Sequence, residues 1–183
     1  MQIGGFVADA VKGNKSGLFP TKIWQGIVLH RKIDHFTDTH PIVKELIVKL
    51  RPEFGRYSAI VLDMYFDYFL ATNFKKYSNT NLWWFSVRFS TVAILNYFYL
   101  PERIKRFIFH FAATNRLYKY STTEGLCNSL YIMSVYKIRS LKPVNCIKYL
   151  EANEQELQNS FFAFFDELII YTKNELNNVQ HKN

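Results

Sequence analysis

The sequence predicts an all-α fold in a single domain, and three observations carry this. Apolar residues recur at helical spacing along most of the chain, no segment alternates long enough to be a strand, and only 7 Gly and 5 Pro interrupt 183 residues. Helices place every third or fourth side chain on one face, whereas strands alternate. A chain of this length buries a real core. With 49% hydrophobic and 21% charged residues it is globular, not disordered.

Gly4 and Gly5 lead into an apolar segment, Phe6–Lys12, that contains Asp9. Residues 13–17, with two Gly, an Asn and a Ser, read as a loop. Pro20 and Thr21 open a helix over Lys22–Thr37, with Ile23, Ile27 and Ile33 near helical spacing. Pro41 suits the first turn of the next helix, Ile42–Leu50, which Arg51-Pro52 ends. A helix over Tyr57–Ala71 is apolar on almost every side and is expected at the centre of the fold. Asn73–Asn81 reads as a loop, and helices follow at 82–98, 102–112, 123–138 and 143–176. The last carries Leu150, Leu157, Phe161, Phe164, Phe165 and Leu168 on one stripe, with Glu151, Glu154 and Glu156 toward water. Residues 1–176 therefore form the predicted domain, and 177–183 a polar C-terminal tail.

Composition excludes several functions. Cys127 and Cys146 are too few for a disulfide scaffold and lack metal-ligand spacing. Met1–Ala10 has no basic region followed by an apolar run, so no secretory signal is visible and the cytoplasm is expected. Trp83–Leu100 is near the length of a membrane span, but Arg88 within it costs roughly 2.5–3.5 kcal/mol in lipid, which favours a buried helix. Charge is uneven. Residues 68–150 carry +10, the first 67 residues +2 and the last 33 residues −4, for a net +8. A cationic middle attracts an anionic partner: nucleic acid, a membrane surface or an acidic protein. No nucleic-acid module or aromatic-basic motif accompanies it, so nucleic acid is not the expected partner.

Asp and His crowd the first part of the chain. Five of six Asp lie in the first 67 residues, and three of five His fall within 30–40. Asp is a poor helix former, so its concentration in helical sequence asks for a reason. His30 and Asp34 are four residues apart, as are Asp34 and Asp38, so they share a helix face. Asp63 and Asp67 repeat the spacing among apolar neighbours, where charge is costly unless paired or metal-bound. Imidazole and carboxylates from several helices can hold a divalent ion, Mn²⁺ or Mg²⁺ for a carboxylate-rich set. Arg31 or Lys32 can also pair these acids with no metal present. Asp38 serves equally well as a cap for the helix at Pro41 or as a ligand. His35 and His40 read as surface or turn residues, His110 between two Phe as a core histidine, and His181 as part of the tail.

The order of these segments is similar to a known family. Residues 4–13 (GGFVADAVKG) resemble a G-N-x-x-A-D-x-x-K/R-G block. Residues 26–38 (GIVLHRKIDHFTD) resemble G-I-x-x-H-R-x-I-D-x-x-T-D, and 62–71 (LDMYFDYFLA) resemble L-D-x-x-x-D-H-F-L-A, with Tyr68 in the place of the His. Together they resemble the acyl carrier protein phosphodiesterase family. The resemblance implies an all-α helical bundle related to HD-type metal-dependent phosphohydrolases. It implies removal of the 4′-phosphopantetheine arm from holo acyl carrier protein with a divalent ion, typically Mn²⁺. By motif, Asp9, His30, Asp34 and Asp67 would hold the ion, Asp63 would orient a ligand or act as base, and Arg31 would balance charge on the phosphate. The acidic acyl carrier protein would suit the +10 segment. Two other readings stay open: a catalytically weak or inactive relative that binds an acidic protein, and an HD-like phosphohydrolase acting on another phosphodiester.

Overall fold

The computed structural model describes residues 2–13, 16–136 and 138–180. Its α-helices are α1 (Gln2–Val7), α2 (Thr21–Thr39), α3 (Pro41–Phe54), α4 (Ser58–Thr72), α5 (Phe74–Tyr77), α6 (Leu82–Leu95), α7 (Glu102–Ala113), α8 (Arg116–Lys119), α9 (Thr123–Tyr136) and α10 (Pro143–Gln180). 3-10 turns stand at Ala8–Ala10, Ser16–Leu18, Gly55–Tyr57 and Tyr97–Tyr99. No strand occurs among the described residues, and the chain is all-α as predicted.

Several boundaries differ from expectation for local reasons. Helix α3 runs past Pro52 to Phe54. Proline forfeits one helical hydrogen bond, but the turn closes at Gly55, whose φ of 55° suits glycine. The expected loop at 73–81 contains α5. Helix α10 continues to Gln180 and breaks its regular dihedrals at Asn153, whose side chain donates to the Tyr149 carbonyl at 2.8 Å. Competition of this kind between side chain and backbone bends helices. Of the expected tail, 177–180 are helical, while His181 and the two residues after it lie outside the described residues.

The described residues gather into two compact units. The first draws on Met1–Thr39, Trp83–Asn115 and Asp166–Asn183. Helices α1 and α2 pack here, Phe6 meets Phe89 at 5.2 Å and Phe111 at 5.6 Å, and Phe36 stacks on Tyr171 at 4.5 Å. Lys32 pairs with Glu175. The expectation of a buried helix over Trp83–Leu100 is corrected. The buried residues of α6 are Ser86, Ser90 and Ala93, while Trp83, Trp84 and Leu95 are exposed. The Ser86 hydroxyl is hydrogen-bonded to Asn115. His110, expected in the core, is exposed. No described helix is long and apolar enough to cross a membrane.

The second unit draws on His40–Leu82 and Arg116–Phe165. Its core includes Leu50, Val61, Leu62, Tyr65, Phe69, Leu126, Leu130, Leu150 and Phe161. Helix α4 is central here, as expected, with Tyr65 fully buried and its hydroxyl donating to the Cys146 carbonyl at 2.6 Å. His40, expected as a surface or turn residue, does stand in the turn between α2 and α3, but it is buried there and meets Phe164 edge-on at 5.0 Å.

Candidate metal centre

A contact between two glycines sets the entrance to the site. A Cβ on Gly4 would stand 2.1 Å from the Ile23 carbonyl oxygen and 2.7 Å from the Gly26 Cα. Only glycine permits α1 to lie so close on α2. Glycine inside a helix costs roughly 0.5–1 kcal/mol, and this close approach is the reason for it. Beyond α1 the chain turns through Ala8–Ala10, which presents Asp9.

Asp9 lies opposite His30, near the middle of α2. The Nε2 of His30 is 3.3 Å from a carboxylate oxygen of Asp9 and 3.5 Å from one of Asp34, a turn further along. Their donor atoms all lie within 4.8 Å of one another. Among the described residues this is the one group of three or more acids, His or Cys so arranged. Asp9 is open, with 88% of its side chain exposed, whereas that of His30 is 29% exposed. The carboxyl of Asp34 sits above its ordinary range. Burial is the chief cause, and His30 opposes the rise while Asp9 and Asp38 add to it. A cation would relieve this crowding of acids.

Arg31 directs its guanidinium to the backbone that follows Asp9. Its Nη2 donates to the carbonyls of Val11 at 2.6 Å and Gly13 at 2.9 Å, and the group lies over the Trp24 ring at 5.5 Å. It thus ties the segment following Asp9 to α2. Gly13 meets it with φ at 73°. Two features that hold the site, the Gly4–Gly26 contact and the Trp24–Arg31 stack, are tertiary and do not follow from residue spacing. Paired glycines beside helical blocks were the visible signal for the first.

The donor set fits a divalent ion. Ligands bound at about 2.1 Å stand about 3 Å apart across a right angle, close to the two His30–carboxylate distances. One imidazole nitrogen with two carboxylates is a donor set that divalent ions accept.

Asp63 and Asp67 belong to the second unit. They lie on the exposed stripe of α4 with Ile60, while the other faces of that helix are buried. Burial, with Asp63 second, pushes the Asp67 carboxyl up to about 7. Water reaching the open part of this carboxylate moderates the rise without reversing it. Tyr68 is half-buried, and burial together with Glu154 raises its phenol, so it stays protonated near neutrality. Asp38 and His35 are exposed, and no side chain caps α3, so the capping role for Asp38 is not realised.

Over residues 1–168 the sequence matches the family described as acyl carrier protein phosphodiesterase. It is similar to the acyl carrier protein phosphodiesterase of Yersinia pestis, at 44% identity over 38% of this chain and 36% of that protein's length. Proteins of the same description from Enterobacter sp. (strain 638) and Pectobacterium atrosepticum are 29% and 26% identical, each over 94% of this chain and 90% of the relative. No solved structure matches the chain.

Proposed function

The chain belongs to the acyl carrier protein phosphodiesterase family, and on that premise we propose that it removes the 4′-phosphopantetheine group from holo acyl carrier protein. The observation that carries this reading is the Asp9–His30–Asp34 cluster, with donor atoms within 4.8 Å of one another. Water adds to the phosphorus, the bond from phosphorus to the serine oxygen breaks, and the serine oxygen takes up a proton. The products are apo protein and 4′-phosphopantetheine.

Asp9, His30 and Asp34 would hold a divalent ion, Mn²⁺ by preference. Such an ion supplies a water of lowered pKa and neutralises charge on the phosphoryl group. His30 must present a neutral Nε2 for this, so the ion and a proton compete for one atom. Arg31 keeps Asp9 in reach by holding the carbonyls of Val11 and Gly13. The sequence blocks further support Asp67 as a ligand and Asp63 as the base or the group that orients a ligand. The +10 balance of residues 68–150 favours an acidic protein substrate. The cytoplasm is the compartment that this substrate implies.

Purified holo acyl carrier protein, incubated with the chain and Mn²⁺, is expected to lose the mass of the phosphopantetheine group. Asp34→Ala should slow this by on the order of a thousandfold, the several kcal/mol that metal assistance supplies. Tyr68 favours a second reading, a weak or inactive relative that binds an acidic partner, because a protonated phenol is a poor metal ligand. Salt-sensitive binding of acyl carrier protein without Mn²⁺-dependent product would establish that reading. Turnover of nucleotide diesters alone would place the chemistry on another phosphodiester.

A further inference from the structure

Helix α6 of the first unit turns Trp83, Trp84 and Leu95 to solvent. Along its solvent side run Trp84, Arg88, Thr91 and Leu95, spaced to form one stripe about 16 Å long. Trp84 is 64% exposed and Leu95 76%. Past the helix, the 3-10 turn Tyr97–Tyr99 lifts Phe98 to 89% exposure. Rings carry the apolar surface onward: Tyr97 lies 6.3 Å from Phe98 and 5.7 Å from Phe109, itself 58% exposed on α7. These exposed apolar side chains, with Arg88 and Thr91 among them, are of the kind that marks an interaction site.

Its charge is one-sided. Residues 82–113 carry Arg88, Arg103, Lys105 and Arg106 against the single acid Glu102, which Lys105 pairs at 2.9 Å. Arg88, Arg103 and Arg106 are exposed. We propose that the α6–α7 surface is a peripheral docking face for an anionic lipid bilayer. The aromatic turn would enter the headgroup boundary, and the arginines would meet lipid phosphates.

The shape selects this occupant over an acidic protein. Phe98 stands at the tip of a turn between two helices, so the apolar part protrudes. A protein partner must offer a pocket matched to such a tip, whereas the headgroup boundary yields to it whatever its form. Tryptophan and tyrosine with flanking arginine are the residue types that favour this boundary. Anionic lipid adds roughly 1 kcal/mol for each nearby basic residue, and salt weakens that contribution.

The test uses the full chain with vesicles of phosphatidylcholine, alone or mixed with phosphatidylglycerol. Sedimentation should carry the chain down with the mixed vesicles at low salt and leave it in solution with the neutral ones. Tryptophan emission should shift to the blue on binding. Phe98→Ser and Leu95→Ser, both at exposed positions and therefore compatible with an unchanged melting profile, should each weaken binding roughly tenfold. Arg103→Glu with Arg106→Glu should abolish the preference for anionic lipid. Absence of binding to mixed vesicles would overturn the proposal, as would equal binding by the Ser variants. It would also fall if those variants lost affinity for holo acyl carrier protein while vesicle binding never appeared. That pattern would make the surface a protein docking site.

Discussion

At the scale of single residues, His30 stands between two carboxylates, and Arg31 beside it faces the backbone. The two roles separate experimentally. Arg31→Lys keeps the charge but loses the planar guanidinium that lies over the Trp24 ring while one of its nitrogens holds both the Val11 and Gly13 carbonyls. It is expected to weaken Mn²⁺ affinity roughly tenfold, as loss of an orienting partner does, with the fold intact by circular dichroism. A second residue-scale expectation concerns the thiols. Burial pushes the Cys146 thiol up to about 12, whereas Cys127 is half-buried. At pH 8 a thiol reagent should modify Cys127 in the native chain and reach Cys146 only after denaturation. Prompt reaction of both would contradict the packing around Cys146. The carboxylates were legible in the sequence because Asp is unexpected in helices. The histidines were less so. Phe109 and Phe111 flank His110, yet Phe109 is exposed and Phe111 buried. Adjacent helical residues point 100° apart, so sequence neighbours do not report a side chain's surroundings.

At the scale of elements, the site depends on how closely α1 lies on α2. Gly4→Ala would force a methyl carbon against the Ile23 carbonyl, which belongs to backbone and cannot swing aside. The expected cost is about 1–3 kcal/mol of stability, read as a lowered midpoint in urea. Weaker Mn²⁺ binding should accompany it, because α1 leads directly to the turn that carries Asp9. Gly5→Ala is the control, since nothing lies near a Cβ there. The helices themselves were readable from spacing and from proline placement at Pro41 and Pro143. Element orientation was not. Helix α6 reads as a buried segment by hydropathy, yet the residues it buries are Ser86, Ser90 and Ala93. Average hydrophobicity carries no information on which face a helix buries.

For the whole molecule, the match over residues 1–168 sets the family, and the motif order from Asp9 through Asp67 is what the sequence offered toward it. Which of those acids come together is a matter of tertiary structure. Asp9 and His30 are 21 residues apart, and a packing contact between two helices joins them. Sequence spacing alone could pair His30 with Asp34 but could not bring in Asp9. We propose that these three side chains form a divalent-metal centre. Electron paramagnetic resonance of Mn²⁺ titrated into the purified chain tests it most directly, because bound Mn²⁺ loses the sharp signal of the free ion. The wild-type chain is expected to remove the free signal saturably, and Asp34→Ala and His30→Ala should leave it nearly undiminished. An unaltered free signal with the wild type, or equal uptake by both variants, would contradict the account.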